Sequence, residues 1–231
     1  MGTPNYAIIH ARRIKNGGHA RLLERHCRRE VPGVERWQTA PERARENVTM
    51  GSMKNRERIM THITELKLWA RKPQKNAAYC VEFVITASRE IGEMGEYFKA
   101  AVEWLQKKAE LFFLAAHYDE KTPHVHAYVL PIQLEGQKYR YSTDALLGDR
   151  KDLERLQEEF WREVGKIFSL DRGEKTERRS ERVRHTGLST YASRQSRAAV
   201  AAGQVPQQEP ERLQRIQEKK RSQDRGRGLE L

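Results

Sequence analysis

Residues 117 to 126 read His-Tyr-Asp-Glu-Lys-Thr-Pro-His-Val-His and carry three of the chain's eight histidines. His124 and His126 stand two apart inside an apolar run, 124 to 130. In an extended strand alternate side chains share a face, so both imidazoles project to one side while Val125 points to the other. His117 closes a second apolar run, 111 to 116, and Thr122-Pro123 between the two runs is a turn signal. A hairpin there brings His117 alongside the pair. Three neutral imidazoles meeting at one point make a divalent-metal site with open coordination positions. A lone strand histidine is more often a packing or surface residue; the clustering at strand spacing is what favours a metal. Asp119 and Glu120 lie in the connecting turn, where acidic residues are common. A carboxylate orienting a ligand imidazole would also sit there.

The elements that must position these residues follow from periodicity and punctuation. A first strand is expected over 6–11, closed by Asn16-Gly17-Gly18, then a basic helix from about His19 to Glu30, stopped at Pro32-Gly33. Residues 34–56 read as polar and irregular, and a helix from about Arg56 to Trp69 precedes Pro73. The densest apolar part comes next: a strand over 77–87, a helix near 93–107, and strands over 110–117 and 124–132. After a turn at Gly136 a short strand is expected near Tyr139, then a long helix from Asp149 to Phe168. Its apolar stripe is Leu153, Leu156, Phe160, Val164 and Ile167. Hairpin-linked strands with intervening helices predict an α+β fold, an antiparallel sheet flanked by helices.

Beyond about residue 172 the composition shifts to Arg, Glu, Gln and Ser, and 204–210 reads as a linker. Such a segment buries too little apolar surface to offset its ordering entropy. The expected organisation is a folded domain over 1–171 and a basic, largely disordered C-terminal tail over 172–231, with a charged helix around 209–223.

The formal net charge of +12 over 231 residues suits a polyanionic partner, although ribosomal, chromatin and membrane-surface proteins share it. No stretch is apolar and long enough to span a bilayer, and the first residues lack a signal-peptide core. Cys27 and Cys80 form no metal or redox motif. The expectation is a cytoplasmic protein.

A His-hydrophobic-His pair on a strand is the signature of the HUH endonucleases. The longer His-x-Asp-Glu-x-Thr-Pro-His-x-His form resembles the Pre/Mob plasmid mobilisation relaxases, the MobV class. The likeness extends to 77–87 and to Tyr141-Ser142-Thr143-Asp144 with the helix that follows. It implies an HUH sheet with the metal on its open face, held by His117, His124 and His126 and supported by Glu120. Manganese is the favoured ion, with magnesium or zinc as alternatives. In the family a histidine in His-x-x-Arg is the nucleophile. His26 and Arg29 match it, and on a helix the two would share a face. By spacing alone His26 reads as a surface histidine in a charged helix, and His19, His10 and the tyrosines remain candidates.

The resemblance therefore implies site- and strand-specific nicking and rejoining at a plasmid transfer origin, through a covalent link between His26 and the 5′ phosphate. The substrate would be single-stranded or hairpin DNA, with the conjugation coupling machinery a further candidate partner. Arg12, Arg13, Lys15, Arg21, Arg25 and Arg28 are candidate phosphate contacts. Asn47, in Arg45-Glu46-Asn47-Val48, resembles another family motif and reads equally well as a loop cap. Two rivals stand beside this reading. One is a rolling-circle initiator or HUH transposase using tyrosine; the other is a DNA-binding protein with a purely structural metal. The tyrosine motif is missing, and structural zinc sites usually close with four ligands. A metalloprotease would need His-Glu-x-x-His on a helix, which this chain lacks.

Overall fold

A computed structural model describes residues 4–33, 38–71 and 73–173. Stretch 174–231, with the predicted linker and charged helix, lies outside the described residues. The centre of the fold is a five-stranded antiparallel sheet in the order β1-β4-β6-β5-β2. Its strands are β1 (Ala7–Ile14), β2 (Val48–Gly51), β4 (Cys80–Ala87), β5 (Glu110–His117) and β6 (His124–Leu130). A smaller sheet pairs β3 (Trp69–Arg71), β8 (Lys138–Tyr141) and β7 (Ile132–Glu135).

Period-two alternation divides the central sheet between two cores. On one face Val81, Phe83 and Ile85 of β4 join Val125, Ala127 and Val129 of β6. Against them pack Tyr97, Ala101, Trp104 and Leu105 of α3 (Met94–Gln106) and Phe160 of α5 (Arg150–Glu163). On the other face Ile14, Cys80, Phe113, Tyr128 and Leu130 meet Ala20 and Cys27 of α1 (Gly17–Cys27) and Met53 of α2 (Met53–Glu65). The second face carries the histidines, so α1 partly roofs the surface that the resemblance leaves open. A short helix, α4 (Thr143–Leu147), bridges from β8 to α5.

The α+β expectation holds; several boundaries move. The first helix starts earlier than expected because Asn16 caps it, its Oδ1 accepting from His19 N at 2.9 Å. It stops at Cys27 rather than Glu30, because Arg29 turns to φ +61°. Arg29 is therefore beyond the helix and does not share a helical face with His26. The 34–56 region, expected to be irregular, holds a 3-10 turn (Pro41–Glu46) and the edge strand β2. Every residue of β2 is exposed, which left no alternation to read. Gly51 closes it at φ +75°, where a Cβ would lie 2.3 Å from the Phe112 carbonyl oxygen. The next helix ends at Glu65, and Trp69 belongs to β3, because Lys67 takes φ +55°.

The long helix also splits. α5 begins with a capping box between Asp149 and Asp152 and ends at Glu163, before a 3-10 turn (Gly165–Phe168). Phe160 and Val164 are buried as the stripe predicts, whereas Leu153 and Ile167 are exposed. Trp104 is in the core, and Trp161 packs against that core partly buried; Trp37 lies outside the described residues.

Candidate metal centre and nucleophile

The β5–β6 hairpin does what the spacing requires. His117 and His124 are direct cross-strand partners, and His126 faces Ala115 one step further along the same face. The imidazoles converge, with His124 Nε2 3.0 Å from His126 Nε2 and 3.3 Å from His117 Nδ1. One ligand atom from each ring lies within 4.8 Å of the others.

The outer nitrogens fix the tautomers. His117 Nε2 lies 3.0 Å from the Cys27 carbonyl oxygen, His124 Nδ1 2.9 Å from the Thr122 carbonyl, and His126 Nδ1 2.9 Å from Glu82 Oε1. These oxygens only accept, so each outer nitrogen carries the proton and each inner nitrogen turns a bare lone pair toward the others. Burial drives the His117 pKa down to about 2, keeping its ring neutral. His124 is likewise lowered, by burial and then by the neighbouring His126. Glu120 Oε1 sits 3.8 Å from His117 Nδ1 and is paired with Arg29 Nη1 at 2.8 Å. Three inward lone pairs repel one another and fit a divalent cation.

Glu82 is the residue that sequence reading missed. It is fully buried on β4, opposite Tyr128 in register. It accepts from His126, from the Tyr128 hydroxyl at 2.6 Å, and from Arg12. Burial alone would raise its carboxyl, but the hydrogen bonds from His126 and Arg12 hold it at about 2. A charged residue inside the apolar run 80–87 was the available signal. Arg12 is thus tied to the histidine triad through Glu82, whereas Arg13, pointing the opposite way, pairs with Asp144 at 2.7 Å.

His26 stands on the last turn of α1. Its ring centroid lies 6.0 Å from that of His117 and 6.2 Å from that of His126. Burial and the nearby His126 lower its pKa, which favours the neutral imidazole. His19 lies two turns back, exposed at the start of α1. His10 shares the row of His126, with β4 between them. Tyr128 is buried against Glu82 with its pKa pushed well up by burial, a poor nucleophile.

Arg29 anchors the turn after His26. It forms a fork with Asp119 and an ion contact with Glu120 at 2.8 Å. Asp119 is buried and also accepts from Gln38 at 2.7 Å. Burial would raise its carboxyl, yet Arg29 and Gln38 hold it at about 2. Asn47 Oδ1 accepts from Tyr118 N at 2.7 Å, the loop-capping role. Arg28 staples α1 to β2 through Glu24 and the Gly51 carbonyl, at 3.0 and 2.7 Å. Arg25 donates to the Glu30 carbonyl, and Arg21 and Lys15 are exposed.

This geometry can be set against known proteins. The sequence profile of the Mob_Pre family, described as plasmid recombination enzyme, matches residues 3–192. The chain belongs to that family. Among its relatives, plasmid recombination enzyme type 1 of Staphylococcus aureus is 25% identical over 182 residues, covering 73% of this chain and 44% of the relative. The plasmid recombination enzyme of Bacillus thuringiensis is 35% identical over 119 residues, 47% of this chain and 26% of its own length. The chain spans less than half the length of these curated relatives. Its fold matches the MobM relaxase domain, solved Mn-bound and in complex with plasmid pMV158 oriT DNA. The TM-score is 0.64 at 22% identity, covering 82% of this chain and 98% of that domain. This family member thus has the MobM relaxase fold, with three histidines converging on one face of its sheet. Among its described residues no helix is long and apolar enough to cross a membrane.

Proposed function

We propose that residues 1–171 form a DNA relaxase domain that nicks and rejoins one strand at a plasmid transfer origin, with residues 172–231 a basic extension. The observation that carries this reading is the placement of His26, a neutral imidazole on the edge of a three-histidine centre. Bound by His117, His124 and His126, a divalent cation, manganese before magnesium or zinc, would polarise a non-bridging phosphate oxygen as a Lewis acid.

The chain's own residues do the rest. The lone pair of one His26 nitrogen forms the N–P bond, the P–O3′ bond breaks, and the departing 3′ oxygen takes up a proton. The 5′ phosphate stays on His26 as a phosphoramidate, and rejoining reverses each step. Glu120 balances the positive charge that develops on the His26 ring. Arg29, gripped by Asp119, holds the end of α1 so that His26 faces the triad. Arg12, Arg13, Lys15, Arg21 and Arg25 supply positive charge for a single-stranded or hairpin backbone.

The test uses supercoiled plasmid carrying the transfer origin of the replicon that encodes the chain, incubated with protein and manganese. Wild type, His26→Ala and His124→Ala are compared on a denaturing gel. An acid-labile protein–DNA adduct present in wild type and lost in both variants is the expected result. An acid-stable adduct that survives in His26→Ala would assign the chemistry to tyrosine. DNA binding without nicking in any divalent metal would leave a non-catalytic DNA-binding protein.

A further inference from the structure

Where β1 runs out and β4 begins, at the end of the central sheet away from the triad, lies an open cleft of about 810 Å³. Its charged lining is Arg13, Lys15, Arg71, Arg140 and Asp144, four cations against one carboxylate. Gln74, Asn76, Ser142 and Thr143 add neutral hydrogen-bonding groups. The small second sheet builds one wall. Arg71 on β3 and Arg140 on β8 are register partners in a parallel pair, both exposed. The register shifts between Trp69 and Arg71, so the two guanidiniums are not directly opposed across the ladder; both line the cleft, where an anion would relieve their mutual repulsion.

The carboxylates nearby do not remove that charge. Arg13 pairs with Asp144, and Arg140 with Glu135, through side chains that are all about half exposed or more. Exposed pairs of this kind are worth about 1 kcal/mol or less and exchange readily for another anion. Among the described residues neither Lys15 nor Arg71 has a carboxylate within ion-pair distance. Several separated cations along an open trough suit a chain of phosphates better than one small anion.

Register sets the distance from the chemistry. His126 shares a row with Val84 and His10, whereas the nearest central-sheet residue of the cleft, Arg13, lies in the row of Val81. Three residues of strand separate the rows, about 10 Å. A phosphate at the triad cannot reach the cleft, so the two must hold different nucleotides.

We propose that this cleft is a second backbone subsite, taking phosphates of the substrate strand several nucleotides from the bond attacked by His26. The inference rests on the relaxase reading above and adds Arg71 and Arg140 to the DNA-binding surface. It is tested with a long labelled single strand spanning the transfer origin and with one truncated to the few nucleotides around the nick. Fluorescence anisotropy is followed as KCl is raised, for wild type, Arg71→Ala/Arg140→Ala and Arg71→Lys/Arg140→Lys. On the long strand the alanine pair should bind about tenfold more weakly and lower the salt slope by about 1.4, at about 0.7 for each phosphate contact on a single strand. On the truncated strand it should match wild type, and the lysine pair should keep the slope on both. Equal loss on both strands, or no loss on either, overturns the subsite. Failure of the relaxase reading looks different: wild type would then nick neither strand, while the length-dependent slope would still report the cleft.

Discussion

His126 can present Nε2 to a cation only while Nδ1 keeps its proton, and the buried Glu82 carboxylate is what holds that proton in place. Carboxylates in this position raise ligand basicity, and their loss typically costs about 10–100-fold in metal affinity. Glu82→Gln should therefore weaken manganese binding by about that factor in calorimetric titration, with the fold intact by circular dichroism. Unchanged affinity would mean that Glu82 serves only its partners Arg12 and Tyr128. The same neighbourhood makes a second prediction. Burial pushes the thiols of Cys27 and Cys80 up to about 12, so both stay protonated and enclosed. Neither should react with a disulfide reagent at neutral pH until denaturant is added; rapid labelling of the native protein would contradict the packing of α1 on the sheet. The triad was legible because its members are sequence neighbours and strand periodicity alone puts them together. Glu82 was not, since it meets His126 only through β4–β6 pairing, which no local spacing encodes.

At the scale of elements, α1 must deliver His26 to within ring contact of the triad, and two devices at its ends do so. Asn16 fixes the start and Arg29 the finish. Arg29 leaves the helix at positive φ, a conformation a non-glycine residue holds only when its surroundings over-determine it. The fork to Asp119 and the contact with Glu120 supply that. Arg29→Ala leaves a buried carboxylate with only the neutral side chains of Gln38 and Asn47 beside it and should cost about 3–5 kcal/mol, the range for breaking one side of a buried pair. Arg29→Lys keeps the charge but loses the fork, so it should recover only part of that. Urea denaturation reads both, and a shift below about 1 kcal/mol in Arg29→Ala would show the pair to be incidental. The sequence placed His26 and Arg29 on one helical face; the interaction that counts is instead between the turn after α1 and the β5–β6 hairpin. A periodicity argument sees i and i+3. It cannot see that a left-handed residue has turned the chain toward a partner ninety positions away.

The whole molecule keeps its histidine centre apart from the two apolar cores. Two apolar cores lie on opposite faces of the central sheet, and the triad occupies the end of one face beyond Tyr128 and Phe113. Apolar burial on both faces is legible in the dense apolar run from 77 to 132, whereas β2 and the small second sheet are short, exposed elements stabilised by partners distant in sequence. A structural metal would be part of the folding free energy, and a chelator would unfold the chain. Here the strands and helices are already joined by hydrogen bonds and apolar contacts that involve no ligand atom. Chelation should therefore leave the cooperative unfolding transition in place. Manganese at about 100 times its dissociation constant should add about 2.7 kcal/mol by mass action alone. Thermal unfolding of wild type and His124→Ala, each with EDTA and with manganese, separates the cases. The expected pattern is a transition in all four samples, raised by manganese in wild type only. Loss of the transition in EDTA would make the histidine centre a folding site and remove the ground for treating it as catalytic.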